Sequence, residues 1–174
     1  MNAPTLITPR LTLRAATRAD FEAYAAMWAD ERVTNFIGGE PRDRTLSWTK
    51  FTQGTGLWPL IGYGYWLAFE RDSGAYVGVG GLACFERGVP SLDGFPEAGW
   101  AFGANSWGKG YATEFMCAVL DWSDAQGLSE TRCIISPGND ASVRVAQKLG
   151  FERIADDGPY MVFSRQAGAV DPAS

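Results

Sequence analysis

A chain of 174 residues, 46% apolar and 20% charged, has the length of one domain and can bury roughly two-thirds of its unfolded surface without a disulfide or metal staple. It contains no histidine, which excludes Ser-His-Asp and Cys-His nucleophile systems and every histidine metal site. The net charge of −5 argues against nucleic acid as a partner, because phosphate binding needs a basic face, and it suits a cationic substrate.

In "TPRLTLRAAT", Leu11 and Leu13 fall on one face and Thr12 and Arg14 on the other, a strand pattern. Thr17 and Asp20 suit a helix start, and Phe21, Tyr24, Ala25 and Trp28 then recur at helical spacing, so a helix is expected from Arg18 to about Asp30. After the loop "GGEPRD" a second helix is expected over Arg44–Gln53, with the glycine-rich, aromatic stretch Gly54–Gly64, including Pro59, outside it. Tyr63–Glu70 and Ala75–Phe85 read as two strands of a hairpin about the Asp72-Ser73-Gly74 turn.

Beyond the loop "RGVPSLDGFP", Glu97–Gly103 is a further strand. A helix follows from Lys109 or Gly110 to Gln126. Its inner stripe is Ala112, Phe115, Met116, Val119, Leu120 and Ser123, and Gly127 stands at its end. "TRCIIS" is a buried strand. "NDASVRVAQKLG" is a short helix capped by Asn139 and closed by Gly150, "YMVFSR" is the last strand, and "QAGAVDPAS" reads as a mobile tail. Strands bracket helices throughout, which describes a mixed α/β domain over residues 1–166 with a flexible tail at 167–174.

No uncharged apolar run nears the ~18 residues of a membrane span, and "MNAPTLITPRLTLR" lacks the three regions of a signal peptide. A cytoplasmic protein without a membrane partner is expected. Cys84, Cys117 and Cys133 are odd in number and lack C-x-x-C spacing, as free thiols in a reducing compartment would be.

The loop Gly103–Gly110 leads from a strand into a helix. "GANSWGKG" satisfies the G-x-x-x-x-G-K of a nucleotide triphosphate loop, but Gly110 stands where a magnesium-holding Ser or Thr is required. "GVGGLA" (Gly78–Ala83) fits a dinucleotide fingerprint, with Glu97 nineteen residues after Gly78. It lies inside a strand-like run with no helix after it, so its glycines read as positions where another backbone or a ligand comes close. A third reading needs only main chain. Gly108 and Gly110 admit torsions closed to other residues, and the first turn of the next helix offers unpaired N–H groups and about half a positive charge. A pyrophosphate is the natural guest, without a metal, and Lys109 can add a charge. A tight turn that binds nothing fits the same residues.

"WGKGYATE" (Trp107–Glu114) resembles the acetyl-coenzyme A pyrophosphate motif of the GNAT superfamily of N-acetyltransferases, Q/R-x-x-G-x-G/A, with Asn105 in the first position. "PGNDASVRVAQKLGFE" (Pro137–Glu152) is similar to the second motif, N-x-x-S-x-x-x-x-x-K-x-G-F, and "ITPRLTLRAATRADFEAY" resembles the opening of the branch that acetylates ribosomal-protein N-termini. The resemblance implies a mixed α/β domain. Its central, mostly antiparallel twisted sheet would have about six to seven strands, flanked by about four helices and splayed near the cofactor. It implies main-chain binding of the pyrophosphate by Trp107, Gly108, Lys109, Gly110, Tyr111, Ala112 and Thr113. A pantetheine arm would pair with Trp100, Ala101 and Phe102 like an added strand. Asn139 would hydrogen-bond that arm and Ser142 would face the sulfur. Arg144 and Lys148 are candidates for the adenosine end, or a solvated helix face.

The reaction so implied moves an acetyl group from acetyl-coenzyme A to a primary amine by direct attack, with no metal. The amine belongs to a protein N-terminus or a small molecule. A non-catalytic acyl-coenzyme A-binding module is the alternative, and a homodimer is left open. Neutralising a lysine amine (pKa about 10.4) at pH 7 costs about 4.6 kcal/mol, against about 1 for an α-amine at about 7.7–8.0. A modest base therefore suffices for an α-amine, and Glu97 is the candidate, with Glu86 as runner-up. A main-chain N–H in Trp100–Phe102, at a bulge near Gly99, would take the oxyanion, and Ser142 or Tyr160 would donate to the departing thiolate. Trp58, Tyr63, Tyr65 and Trp66 fit an acceptor wall or the core. Glu31, Glu40, Glu86 and Asp93 are carboxylates able to attract an amine.

Overall fold

The computed structural model describes residues 3–169. In chain order the elements are β1 (Leu6–Ile7), β2 (Leu11–Arg14), α1 (Phe21–Trp28), α2 (Glu31–Thr34), α3 (Arg44–Ile61), β3 (Tyr65–Glu70) and β4 (Tyr76–Ala83). They continue with β5 (Glu97–Phe102), α4 (Tyr111–Ala125), β6 (Glu130–Ile135), α5 (Asp140–Lys148), β7 (Glu152–Asp157) and β8 (Tyr160–Gln166). Short 3-10 turns precede α1, β5 and α4. The strands form one sheet in the order β1-β2-β3-β4-β5-β6-β8-β7. Every pairing is antiparallel except β5 with β6. This is the mixed α/β, mostly antiparallel architecture expected, though with eight strands and five helices among the described residues in place of about six to seven and about four.

Helices cover both faces. On one, Phe115, Met116, Val119 and Leu120 of α4 are fully buried and pack with Trp66, Phe102, Phe151 and Phe163. This is the inner stripe read from the sequence. On the other, Phe21, Tyr24, Met27 and Trp28 of α1 pack with Phe51 of α3 against Leu67, Val79 and Ala101. The start of α1 is fixed as expected: Asp20 accepts from the Thr17 N–H and hydroxyl at 2.7 Å and holds Arg14 with two hydrogen bonds.

The glycines of β4 are needed because its neighbours lie too close for side chains. A Cβ on Gly80 would stand 2.5 Å from the Gly99 carbonyl oxygen, and one on Gly81 would stand 2.2 Å from that of Gly64. The strand reading of "GVGGLA" therefore holds.

Four expectations need correction. The second helix does not stop at Gln53 but runs through Gly54, Gly56 and Pro59 to Ile61. Packing overrides propensity there. Leu57 and Trp58 are buried, Gly54 packs beside Tyr65, and left-handed Gly62 ends it with its N–H on Trp58. The opening strand is a hairpin, β1 with β2. The strand β7 was missed because its burial pattern is almost wholly exposed, leaving no apolar alternation to read. The tail is tied down at its start: Ala167 N–H donates to Ser129 and Gly168 N–H to Asp124, both at 2.8 Å. Positions 170–174 lie outside the described residues.

Replacing Gly81 by Ala is expected to lower the unfolding free energy by about 3 kcal/mol or more, since both clashing partners are backbone. Gly74 has φ +69° but open space around it, so Gly74→Ala should cost only about 1 kcal/mol. Urea unfolding of the two variants checks this, and equal losses would contradict it.

Candidate active site

The strands β5 and β6 meet at one register position, Glu97 opposite Arg132. There the Arg132 N–H donates to the Pro96 carbonyl at 3.0 Å. Beyond it β5 stays with β4 while β6 stays with β8. The gap between them is a cleft of about 630 Å³.

The pairing of β5 with β4 decides which of its groups face the gap. Gly103 N–H donates to Val77, and hydrogen-bonded pairs alternate along an antiparallel ladder. Ala101, Gly99 and Glu97 therefore bond toward β4, while the main-chain groups of Trp100 and Phe102 turn to the other edge. The Phe102 carbonyl is taken by the Trp107 indole N–H at 2.8 Å. Its side chain is buried against Phe115. Trp100 thus carries an open amide and carbonyl, and Phe102 an open amide. The register runs unbroken from Glu97 to Phe102, so the bulge expected near Gly99 is not there.

Glu97 stands at the apex of the cleft, 6% exposed. Its Oε2 accepts from Arg87 Nε at 2.8 Å. Trp100, Ala101, Asn139, Ser142 and Tyr160 line the same cleft, so β5, α5 and β8 converge on it as the sequence expected. Asn139 caps α5, its Oδ1 accepting from the Ser142 N–H at 3.1 Å, which holds both residues at the rim. Tyr65 also lines the cleft. Its hydroxyl lies 2.6 Å from where a Cβ on Gly99 would be, so the bare Gly99 makes room for it. Burial, then the charge of Glu97, push the Tyr65 phenol above its ordinary range. The same two causes raise Cys133, a packed thiol. All three cysteines are free.

At the far end of β5, about 17 Å from Glu97 by strand rise, the chain turns into α4. Gly108 and Gly110 are left-handed, φ +73° and +78°. No side chain caps the helix. Among the described residues no hydrogen bond uses the N–H of Gly108, Lys109, Gly110, Tyr111, Ala112 or Thr113. The turn is braced from outside. Arg10 donates to the Lys109 carbonyl at 2.7 Å, and Glu114 accepts from the Arg10 N–H and Nε and from the Thr8 hydroxyl. The Lys109 ammonium lies 3.3 Å from Glu70, which also takes the Tyr111 hydroxyl. These loop residues do not line the cleft. They stand past its end on the same strand-to-helix path.

The acceptor side differs from the sequence expectation in its charge. None of Glu31, Glu40, Glu86 and Asp93 lines the cleft; its charged residues are Arg42, Lys50, Arg87 and Glu97. Glu86, the runner-up base, is instead an exposed residue with φ +48°. Of the aromatics, Trp58 and Trp66 belong to the core with Trp122, Tyr63 packs against it, and Tyr65 is a wall. Sequence reasoning missed Arg87 and Arg42 because both sit in loops with no periodic neighbours to place them.

The acetyltransferase (GNAT) domain family model matches residues 10–152. The chain belongs to the GNAT acetyltransferase family. A curated relative, the uncharacterized protein YkkB of Bacillus subtilis (strain 168), is 30% identical over 156 residues, covering 86% of this chain and 87% of its own. Among solved GNAT-like structures, the acetyltransferase from Agrobacterium tumefaciens str. C58 is 29% identical with a TM-score of 0.83, covering 95% of this chain and 96% of that one. Ribosomal-protein-S5-alanine acetyltransferase from Vibrio fischeri superposes with a TM-score of 0.73 over 98% of this chain and 100% of that one. At 16% identity it shares the fold. No helix among the described residues is long and apolar enough to cross a membrane.

Removing Arg87 leaves the Glu97 carboxylate buried without a partner. Arg87 is 40% exposed on its side chain, so Arg87→Met is expected to cost about 1–2 kcal/mol, less than for a fully buried pair. In the Arg87→Met/Glu97→Gln double variant about 1 kcal/mol of that should return. Urea unfolding of the four proteins measures the coupling, and strictly additive losses would contradict the pairing.

Proposed function

We propose that this chain transfers an acetyl group from acetyl-coenzyme A to a primary amine by direct attack, and that Glu97 is the base. The observation that carries this reading is the position of Glu97. It is a buried carboxylate at the point where β5 leaves β6, sharing one cleft with Trp100, Asn139, Ser142 and Tyr160.

The residues suit the co-substrate that the family uses. The Trp100 carbonyl and the Phe102 N–H stand on an unpaired edge, which suits an amide-bearing arm laid alongside as an added strand. The amide nitrogen of Asn139 is left over once its Oδ1 caps α5, and it can donate to that arm. Six adjacent N–H groups at the start of α4 suit a diphosphate. Lys109 supplies charge there only by leaving Glu70. Acetyl-coenzyme A brings the activated thioester, and the protein supplies position and proton transfer.

Glu97 accepts a proton from the incoming amine, directly or through one water. Only its Oε2 is engaged by Arg87, which leaves Oε1 for the amine. The Trp100 N–H donates to the carbonyl oxygen as charge develops on it. The Ser142 hydroxyl donates to the departing sulfur, with Tyr160 as a second donor on the same wall. A peptide α-amine and a small-molecule amine both fit this chemistry. The alternative, a module that binds acyl-coenzyme A without turnover, leaves the buried carboxylate beside the open strand edge without a task.

The test is thiol release from acetyl-coenzyme A with a panel of amines. Release that depends on the amine is expected. Glu97→Gln should lower kcat by about 100-fold near neutral pH. That deficit should shrink at higher pH, where an α-amine with pKa about 7.7–8.0 is already neutral. Ser142→Ala should cost about tenfold or less. An unchanged rate–pH profile in Glu97→Gln would remove Glu97 as the base, and binding without release for every amine would favour the non-catalytic module.

A further inference from the structure

The charged lining of the cleft comprises three cations, Arg42, Lys50 and Arg87, against one carboxylate, Glu97, in a chain of net charge −5. Arg87 is committed to Glu97. Lys50 is exposed and reaches Gln53 at 3.2 Å. Arg42 is different. Its guanidinium lies 3.5 Å from the centre of the Trp28 ring, and among the described residues it joins no ion pair. The Tyr24 hydroxyl sits beside it, and burial pulls Arg42 below the ordinary guanidinium range. A second donor in the same wall is also unused. Trp28 is 5% exposed, and its Nε1–H has no acceptor.

A half-buried guanidinium without an anion is unfavourable to keep. Held over an indole, it carries a planar donor fork of the kind a carboxylate matches with two hydrogen bonds. The phosphates of the co-substrate are not the anion concerned. Arg42 stacks on the face of the sheet covered by α1 and α3, whereas α4, whose first turn offers the free N–H groups, packs on the other. Arg42 and Glu97 line the same cleft, and Tyr65 lines it with them. A cleft of about 630 Å³ has the size of a small-molecule site.

Building on the acetyl-transfer reading above, we propose that the acceptor is a small amino acid-like molecule, whose carboxylate is bound by Arg42 against Trp28 while its amine meets Glu97. The substrate's two groups then match a cation and a carboxylate of one cleft. This replaces the cationic amine suggested by overall composition with a zwitterion. The carboxylate also sets the attack geometry, because it fixes the distance of the amine from the base.

The probes are the standard free L-amino acids, their matched amides and short peptides with a free α-amine. Thermal shift with coenzyme A present reads binding, and thiol release from acetyl-coenzyme A reads turnover. At least one free acid is expected to bind and react ten-fold or more better than its amide, chiefly through KM. Arg42→Gln should bring that acid-to-amide ratio to about one, and Arg42→Lys should keep part of it. A ratio near one in the unmodified protein, or an equal loss on acid and amide in Arg42→Gln, overturns the proposal. Peptides preferred over every free acid also overturn it. Binding specific to the acid, and lost in Arg42→Gln, with no thiol release for any probe upholds the carboxylate site and refutes acetyl transfer instead. Release that is indifferent to the carboxylate does the reverse.

Discussion

The parting of β5 from β6 after Glu97 and Arg132 is the constraint from which the rest of the site follows. A sheet that stayed closed would have its main-chain groups paired and no room between its central strands. Here β5 is held by β4 along its whole length and β6 by β8, so neither can follow the other. The split is pinned at its apex. The Arg132 side chain donates to the Ser91 carbonyl at 2.6 Å and stacks on Phe95, which fastens the loop before β5 to β6. An unpaired strand edge at the centre of a domain is costly if nothing satisfies it, and it is suited to a ligand that supplies amide groups in a row.

Three chemical tasks are thereby separated along one path. Main-chain dipoles at the start of α4 suit phosphate, the open edge at Trp100 suits an amide-rich arm, and the apex holds a carboxylate. The bracing residues, Arg10, Thr8 and Glu114, stay outside the N–H cradle and fix its shape. The ion pair with Arg87 gives a carboxylate so deep in the cleft its counter-charge, and that partner engages a single oxygen.

Much of this was legible in the sequence. Leu11 and Leu13 gave the period of a strand, the Phe115–Leu120 stripe gave α4, and Gly108, Gly110, Asn139 and Ser142 stood where the turn and the cap require them. The close approach at Gly80 and Gly81 was foreseen because a strand interior seldom spends glycines otherwise. Local signals failed where tertiary contacts decide. Gly54, Gly56 and Pro59 read as a helix end, yet buried Leu57 and Trp58 carry α3 through them. The exposed edge strand β7 has no apolar pattern. The charge of the acceptor wall is not legible in net composition, which says nothing of placement: Glu31, Glu40, Glu86 and Asp93 lie outside the cleft, and Arg42 and Arg87 come from loops that only the folded chain brings to it.

The most direct measurement is amide hydrogen exchange, residue by residue, with and without saturating coenzyme A and with a chelator present throughout. The account predicts that Trp100 and Gly108–Thr113 exchange freely alone and gain strong protection with ligand, while Ala101, already paired to β4, changes little. Protection that fails to appear at those amides, or that needs added magnesium, would contradict it.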